Sequence, residues 1–192
     1  LMAQLTHITG PTCDGNGGPN VLDNLAKRLP APKGPGQLAL VRDGVKTIIH
    51  LPGDNLVISR ALVEDFDEPD VIAGFIIAER LRAKKHDPLA DLLAYAGMWS
   101  SFRLLTTGML SDESLQSYAQ HLLAQDTTPL SDHKILAGFR NYSVRSTPYA
   151  YALDISGETT LGLIEADPFA KQAPTPVLSD ADWLRLQSIC GG

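Results

Sequence analysis

The stretch DEPDVIAGFIIAERLRAKKH, residues 67–86, decides how this 192-residue chain is read. Asp67-Glu68-Pro69-Asp70 has the chemistry of a helix start: a capping aspartate, acids in the first turn, and a proline where an amide would lack a partner anyway. The run VIAGFIIA, from Val71 to Ala78, is apolar on every side and predicts a buried central helix. From Glu79 to His86 the same helix turns charged and is expected to emerge, and Asp87-Pro88 stops or kinks it.

On the N-terminal side, LPGDNLVISRAL places a turn at Pro52-Gly53-Asp54-Asn55, a short strand through Val57 and Ile58, and a helix start near Ser59. Upstream, QLALVRDGVKTIIHL, residues 37–51, alternates in two apolar runs about Asp43-Gly44, which predicts a β-hairpin. PAPKGPG, residues 30–36, breaks any helix and reads as a connector. Before it, Asn20 can cap a helix reaching about Leu29.

On the C-terminal side, helices are expected from Leu89 to about Leu105, from Ser111 to about Ala124 with Ser111 as its cap, and after Ser131-Asp132. AYALDISGETTLGLIEA, residues 150–166, alternates around Ser156-Gly157 and predicts a second hairpin. Ser179 begins an S-x-x-D cap for a last helix carrying Trp183, Leu186 and Ile189, expected to dock on the core.

This order predicts one α+β domain over 1–192, mainly helical with a small, mostly antiparallel sheet. It comprises an N-terminal segment and linker (1–36), a hairpin, edge strand and helical core (37–145), and a hairpin with a C-terminal helix (146–192). A charge of -6, from 16 basic and 22 acidic residues, with basic side chains dispersed apart from Arg80, Arg82, Lys84 and Lys85, argues against a nucleic-acid partner. No run of about 18 apolar residues could span a membrane. The opening Leu1-Met2 leaves room for an upstream signal or anchor.

Two cysteines, Cys13 and Cys190, permit a single intramolecular disulfide or two free thiols. The pair brackets the domain with no cysteine left over, so a bridge in an oxidising, extracytoplasmic compartment is expected.

The segment IIHLPGDNLVISRALVEDFDEPDVIAGFIIAERLRAKKHDPL, residues 48–89, resembles the core of the HtpX and CAAX-endopeptidase type of zinc metallopeptidases. Leu51-Pro52-Gly53, Ser59-Arg60-Ala61-Leu62 and Asp67 onward follow that pattern. The resemblance implies a zincin-like fold, a groove beside an edge strand, and a central helix bearing H-E-x-x-H. Here the motif positions read Ala78-Glu79-Arg80-Leu81-Arg82, so Glu79 matches the general base while both histidine ligands are replaced, at Ala78 and Arg82. Alanine has no lone pair, and arginine keeps its proton and presents only donors. Without zinc, a lone carboxylate has no acidified water to act on.

For the family's third ligand, Glu113 has suitable spacing but also suits a helix first turn, and Glu165 has the local context but follows the expected second hairpin. The histidines at 7, 50, 86, 121 and 133 include no helical pair, although distant ones could assemble in space. No G-x-S-x-G elbow or phosphate loop is present. Arg82 is expected either to fill the space of the family's zinc while pairing with Glu79, or to form an exposed helical ion pair. Tyr149 reads as part of a recognition loop or as packing, with Tyr151, at the edge of the second hairpin.

The expectation is therefore a catalytically silent, metallopeptidase-like protein without metal or other cofactor, periplasmic or otherwise extracytoplasmic. Its groove, at Leu56, Val57, Ile58, Glu79, Arg82 and Tyr149, would take a peptide or protein by strand addition at the edge formed by residues 56–58. The alternatives are a hydrolase with a displaced-metal or metal-free site, and a purely structural envelope domain.

Overall fold

The computed structural model describes residues 1–31, 36–107, 110–125 and 127–191, and the side chains among them except those of residues 3, 4 and 98–107. The connector expected at 30–36 falls largely outside this set.

Three strands form one sheet: β1 (Leu38–Val41), β2 (Ile48–Leu51) and β3 (Asn55–Ser59). Their order is β1-β3-β2, with β1 parallel and β2 antiparallel to β3. The sheet is thus mixed rather than mostly antiparallel, and two expectations change with it. β1 and β2 do not pair across Asp43-Gly44, because β3 lies between them. Residues 56–58, expected at an edge, occupy the centre.

The cause is legible in β3 itself. Leu56 and Ile58 pack into one core while Val57 packs into another on the opposite face. A strand apolar on both faces belongs inside a sheet. The hairpin in this region joins β2 to β3 instead, through Pro52, Gly53 and Asp54. Gly53 (φ 84) and Asp54 (φ 59) both adopt left-handed backbone, which glycine takes freely and aspartate tolerates.

Each sheet face is covered by helices. On one side lie α2 (Gly18–Arg28), α4 (Pro69–Ala83) and α10 (Asp180–Gln187), around a core that includes Leu25, Ile72, Ile76 and Leu186. On the other lie α1 (Met2–Thr9) and α6 (Asp112–Ala124), whose Leu5 and Ala119 meet Val57 and Leu51. A short α3 (Ala61–Glu64) links β3 to α4, and α5 (Pro88–Thr107) follows it, interrupted at Gly97 (φ 81). Next is α7 (Asp132–Tyr142). Ser111 and Ser179 cap α6 and α10, accepting from the amides of Ser114 and Asp182. Trp183, Leu186 and Ile189 are buried, so the last helix docks on the core. Asn20 lies within α2, which begins two residues earlier.

The second hairpin is not present. Residues 147–153 form α8 (Thr147–Leu153) and residues 161–165 form α9 (Leu161–Glu165). Ser146, Tyr149 and Ala150 are buried while Tyr151 and Leu153 are exposed, a helical spacing that a short alternating pattern resembles. Pro148 sits in the first turn of α8. Between the helices, Asp154 accepts from the amides and hydroxyls of both Ser156 and Thr159, and this closes the turn.

Helix α4 departs from expectation at its end. Arg80 does not emerge: it is 2% exposed, and its Nη1 donates to the Leu29 carbonyl. Burial lowers its pKa, with the charges of Tyr142 and Asp54 opposing.

Cys13 and Cys190 form a disulfide. Around it the termini are tied by Gly15 N–H to Ile189 O at 3.0 Å and Asn16 Nδ2 to Ser188 O at 3.1 Å. The Cys13 amide also donates to Leu40 O at 2.9 Å, so residues 12–13 cover the outer edge of β1. No helix among the described residues is long and apolar enough to cross a membrane.

Candidate functional site

The outer edge of β2 borders a groove. Antiparallel pairs alternate between residues that exchange hydrogen bonds and residues that point away from each other. Ser59 N–H donates to Thr47 O at 2.8 Å, and the register pairs Ile48 with Ile58 and His50 with Leu56. The alternation therefore turns the amide and carbonyl groups of Ile48 and His50 away from β3. Among the described residues, no hydrogen bond reaches these four groups.

Ile48, Ile49 and His50 line a cavity of about 520 Å³. Its other walls are Glu79, Arg82, Ala83 and His86 from the end of α4 and the residues after it, Asp91 and Tyr95 from α5, Tyr118 and His121 from α6, and Thr127-Thr128 beyond α6. Residues 79, 82, 83 and 86 recur at helical spacing, so one face of α4 and its continuation is turned to the groove.

On that face Arg82 Nη1 donates to Glu79 Oε2 at 2.8 Å, and Arg82 Nε donates to Thr128 O at 2.8 Å. Both side chains are mostly shielded, at 15% and 18% exposure, so this is not an ion pair in bulk solvent. Tyr149 lies behind it, packed edge-on to Phe75 at 5.0 Å and against Phe139 at 5.5 Å. Burial pushes its phenol up, the neighbouring Arg82 opposes, and Glu79 adds to the rise. Tyr149 is thus neither a recognition loop nor a hairpin edge. It is a core residue beneath the ion pair.

Other expected site residues are placed differently. Leu56, Val57 and Ile58 are fully buried and do not line the groove. Ala78 is also fully buried in the core, so of the two positions matching metal ligands only Arg82 faces the cavity. The donor chemistry of alanine and arginine at these positions does not fit zinc. Glu113 lies in the first turn of α6, outside this groove, and Glu165 is exposed at the end of α9.

Three histidines far apart in sequence converge on the groove. His50 Nε2 is 3.3 Å from Asp54 Oδ1, and its Nδ1 is buried with no partner among the described residues. His121 stacks on Tyr95 with ring centroids 4.8 Å apart, and Gln125 Nε2 donates to its Nε2 at 2.8 Å. His86 lines the same cavity. Among the described residues, no group of three His, Cys, Asp or Glu side chains is spaced to hold a metal ion. Only spatial closeness unites these histidines, and no local motif could have signalled it.

The groove can therefore offer backbone donors and acceptors along β2, an internally neutralised ion pair as its floor, and an aromatic wall. A comparison of the chain with protein-family models finds no match, and a comparison with curated proteins finds none either.

Proposed function

We propose that this chain is a non-catalytic, metallopeptidase-like domain that captures an extended peptide or protein segment by strand addition to β2. The observation that carries this reading is the set of unpaired Ile48 and His50 backbone groups bordering a cavity large enough for several side chains. Unpaired edge groups are a ready template for another strand, and main-chain hydrogen bonds supply affinity in this mode.

The absence of catalysis rests on donor chemistry. Arg82 holds Glu79, and neither Arg82 nor Ala78 can ligate zinc. The zincin-like relationship has three supports: the pattern in residues 48–89, the packing of the central helix against β2, and a groove between them. An extracytoplasmic location is supported by the disulfide, since such bridges persist in oxidising compartments.

The test is amide hydrogen exchange with and without a degenerate octapeptide library. Peptide is expected to slow exchange at Ile48 and His50 while leaving the β3 amides as they were. Unchanged exchange at both residues, at peptide concentrations that saturate any binding signal, would exclude strand addition. Stoichiometric zinc in the purified protein would overturn the non-catalytic assignment.

A further inference from the structure

The groove is chemically uneven along its length. At the α4 side its charges cancel, Glu79 against Arg82. At the α5–α6 side no hydrogen bond or ion pair engages the Asp91 carboxylate among the described residues, and Asp91 lines the same cavity. Asp91 and Tyr95 stand four residues apart on α5 and so share a face.

The aromatic wall beside Asp91 is already assembled. Tyr95 packs on Tyr118 at 5.3 Å and on His121 at 4.8 Å, and its hydroxyl shares a 2.7 Å hydrogen bond with Ser117 Oγ. Tyr118 is buried, whereas Tyr95 is 43% exposed. The Asp91 charge reaches this wall: it adds to burial in raising the Tyr118 phenol to about 12.

A free carboxylate next to exposed aromatic faces is a receptor for a cation, through charge attraction and through the negative face of the ring. Resting on the strand-addition reading above, we propose that the α5–α6 end of the groove is a specificity pocket for a lysine or arginine side chain of the captured peptide. Asp91 supplies the charge, and Tyr95 with Tyr118 and His121 supplies the wall. The β2 edge then provides affinity that is indifferent to side chains, and this pocket provides selection.

Fluorescence anisotropy with octapeptide libraries tests this, each library degenerate except at one central position fixed as lysine, norleucine or glutamate. At pH 8 and low salt the lysine library should bind about tenfold tighter than the norleucine library, with glutamate weakest. Asp91→Asn and Tyr95→Leu should each bring the lysine-to-norleucine ratio toward one, and Asp91→Lys should shift preference to glutamate. Equal binding of the lysine and norleucine libraries would overturn the pocket while leaving strand addition standing. A lysine preference that survives both Asp91 substitutions would do the same. Failure of every library to bind would remove strand addition and the pocket together.

Discussion

Arg145 Nε donates to Asp70 Oδ2 at 2.6 Å, tying the chain before α8 to the first turn of the central helix α4. Asp70 is 6% exposed in its side chain and Arg145 35%, and the same guanidinium also reaches Glu68. Burial pushes the Asp70 carboxyl up, while Arg145 opposes that shift. Replacing one partner of such a pair leaves a charge without compensation, whereas replacing both is far cheaper.

Arg145→Met is therefore expected to destabilise the fold by about 2 kcal/mol at pH 7, below the usual cost for a fully buried pair because Arg145 is partly solvated. A group whose folded pKa is raised stabilises below its unfolded value of 3.8 and loses that contribution as pH rises through the folded pKa. Without Arg145 the carboxyl should rise further, so the loss should shrink as the solution is acidified and Asp70 becomes neutral. Urea melts of both proteins from pH 7 to pH 4 check this, and a loss that grows toward acid would contradict it.

Asp154 shows the opposite sign. Hydrogen bonds from Ser156 and Thr159 hold its carboxyl well below the usual carboxylate range. Its contribution is present above the unfolded value of 3.8 and is lost as pH falls through the folded pKa. Asp154→Asn should thus lower the thermal midpoint at pH 6, and its difference from the native chain should narrow steadily below pH 4. Midpoints recorded by circular dichroism across that range would show the convergence or its absence.

The Cys13–Cys190 bridge closes nearly the whole chain, with a separation of 177 residues. In the chain-entropy view, closing so long a loop restricts the unfolded ensemble by about 5 kcal/mol. Reduction, or the paired Cys13→Ser and Cys190→Ser change, should lower the urea midpoint substantially and loosen residues 12–13 from β1. Coincident unfolding curves with and without reductant would show that the bridge contributes nothing.

Gly74 on α4 faces Tyr149 of α8. A Cβ there would sit 2.6 Å from the Tyr149 Cβ and 2.8 Å from two of its ring carbons. Gly74→Ala should cost roughly 1–3 kcal/mol through overpacking, despite the better helix propensity of alanine. Because Tyr149 lies beneath Arg82, the variant should also perturb the Thr128 amide region in a two-dimensional NMR spectrum. A gain in stability would mean that the two helices can separate without cost.

Local signals in the sequence carried well. The DEPD start and the run VIAGFIIA identified the central helix, and the helix bounds are Pro69–Ala83. The serines at 111 and 179 cap the helices that follow them. These features were legible because caps and apolar periodicity act over a few residues and need no distant partner. The cysteine pair was legible for a different reason, that two residues permit only one intramolecular bridge.

What failed depended on partners remote in the chain. The alternating run at 150–166 became helices because Ser146, Tyr149 and Ala150 find a buried site beside Gly74 and Leu163, a neighbourhood that no local pattern encodes. Arg80 looked like the start of a solvated face but lies buried beside Leu29.

The sequence by itself thus determined the α+β class, the central helix and the serine caps of α6 and α10, all properties of residue type and short-range spacing. Only the tertiary structure decided that β3 is central, that β2 is the open edge, and that His50, His86 and His121 meet one groove with Asp91. Strand order and site assembly follow from which faces can bury their apolar surface together, and that is a relation among segments rather than a property of any one of them.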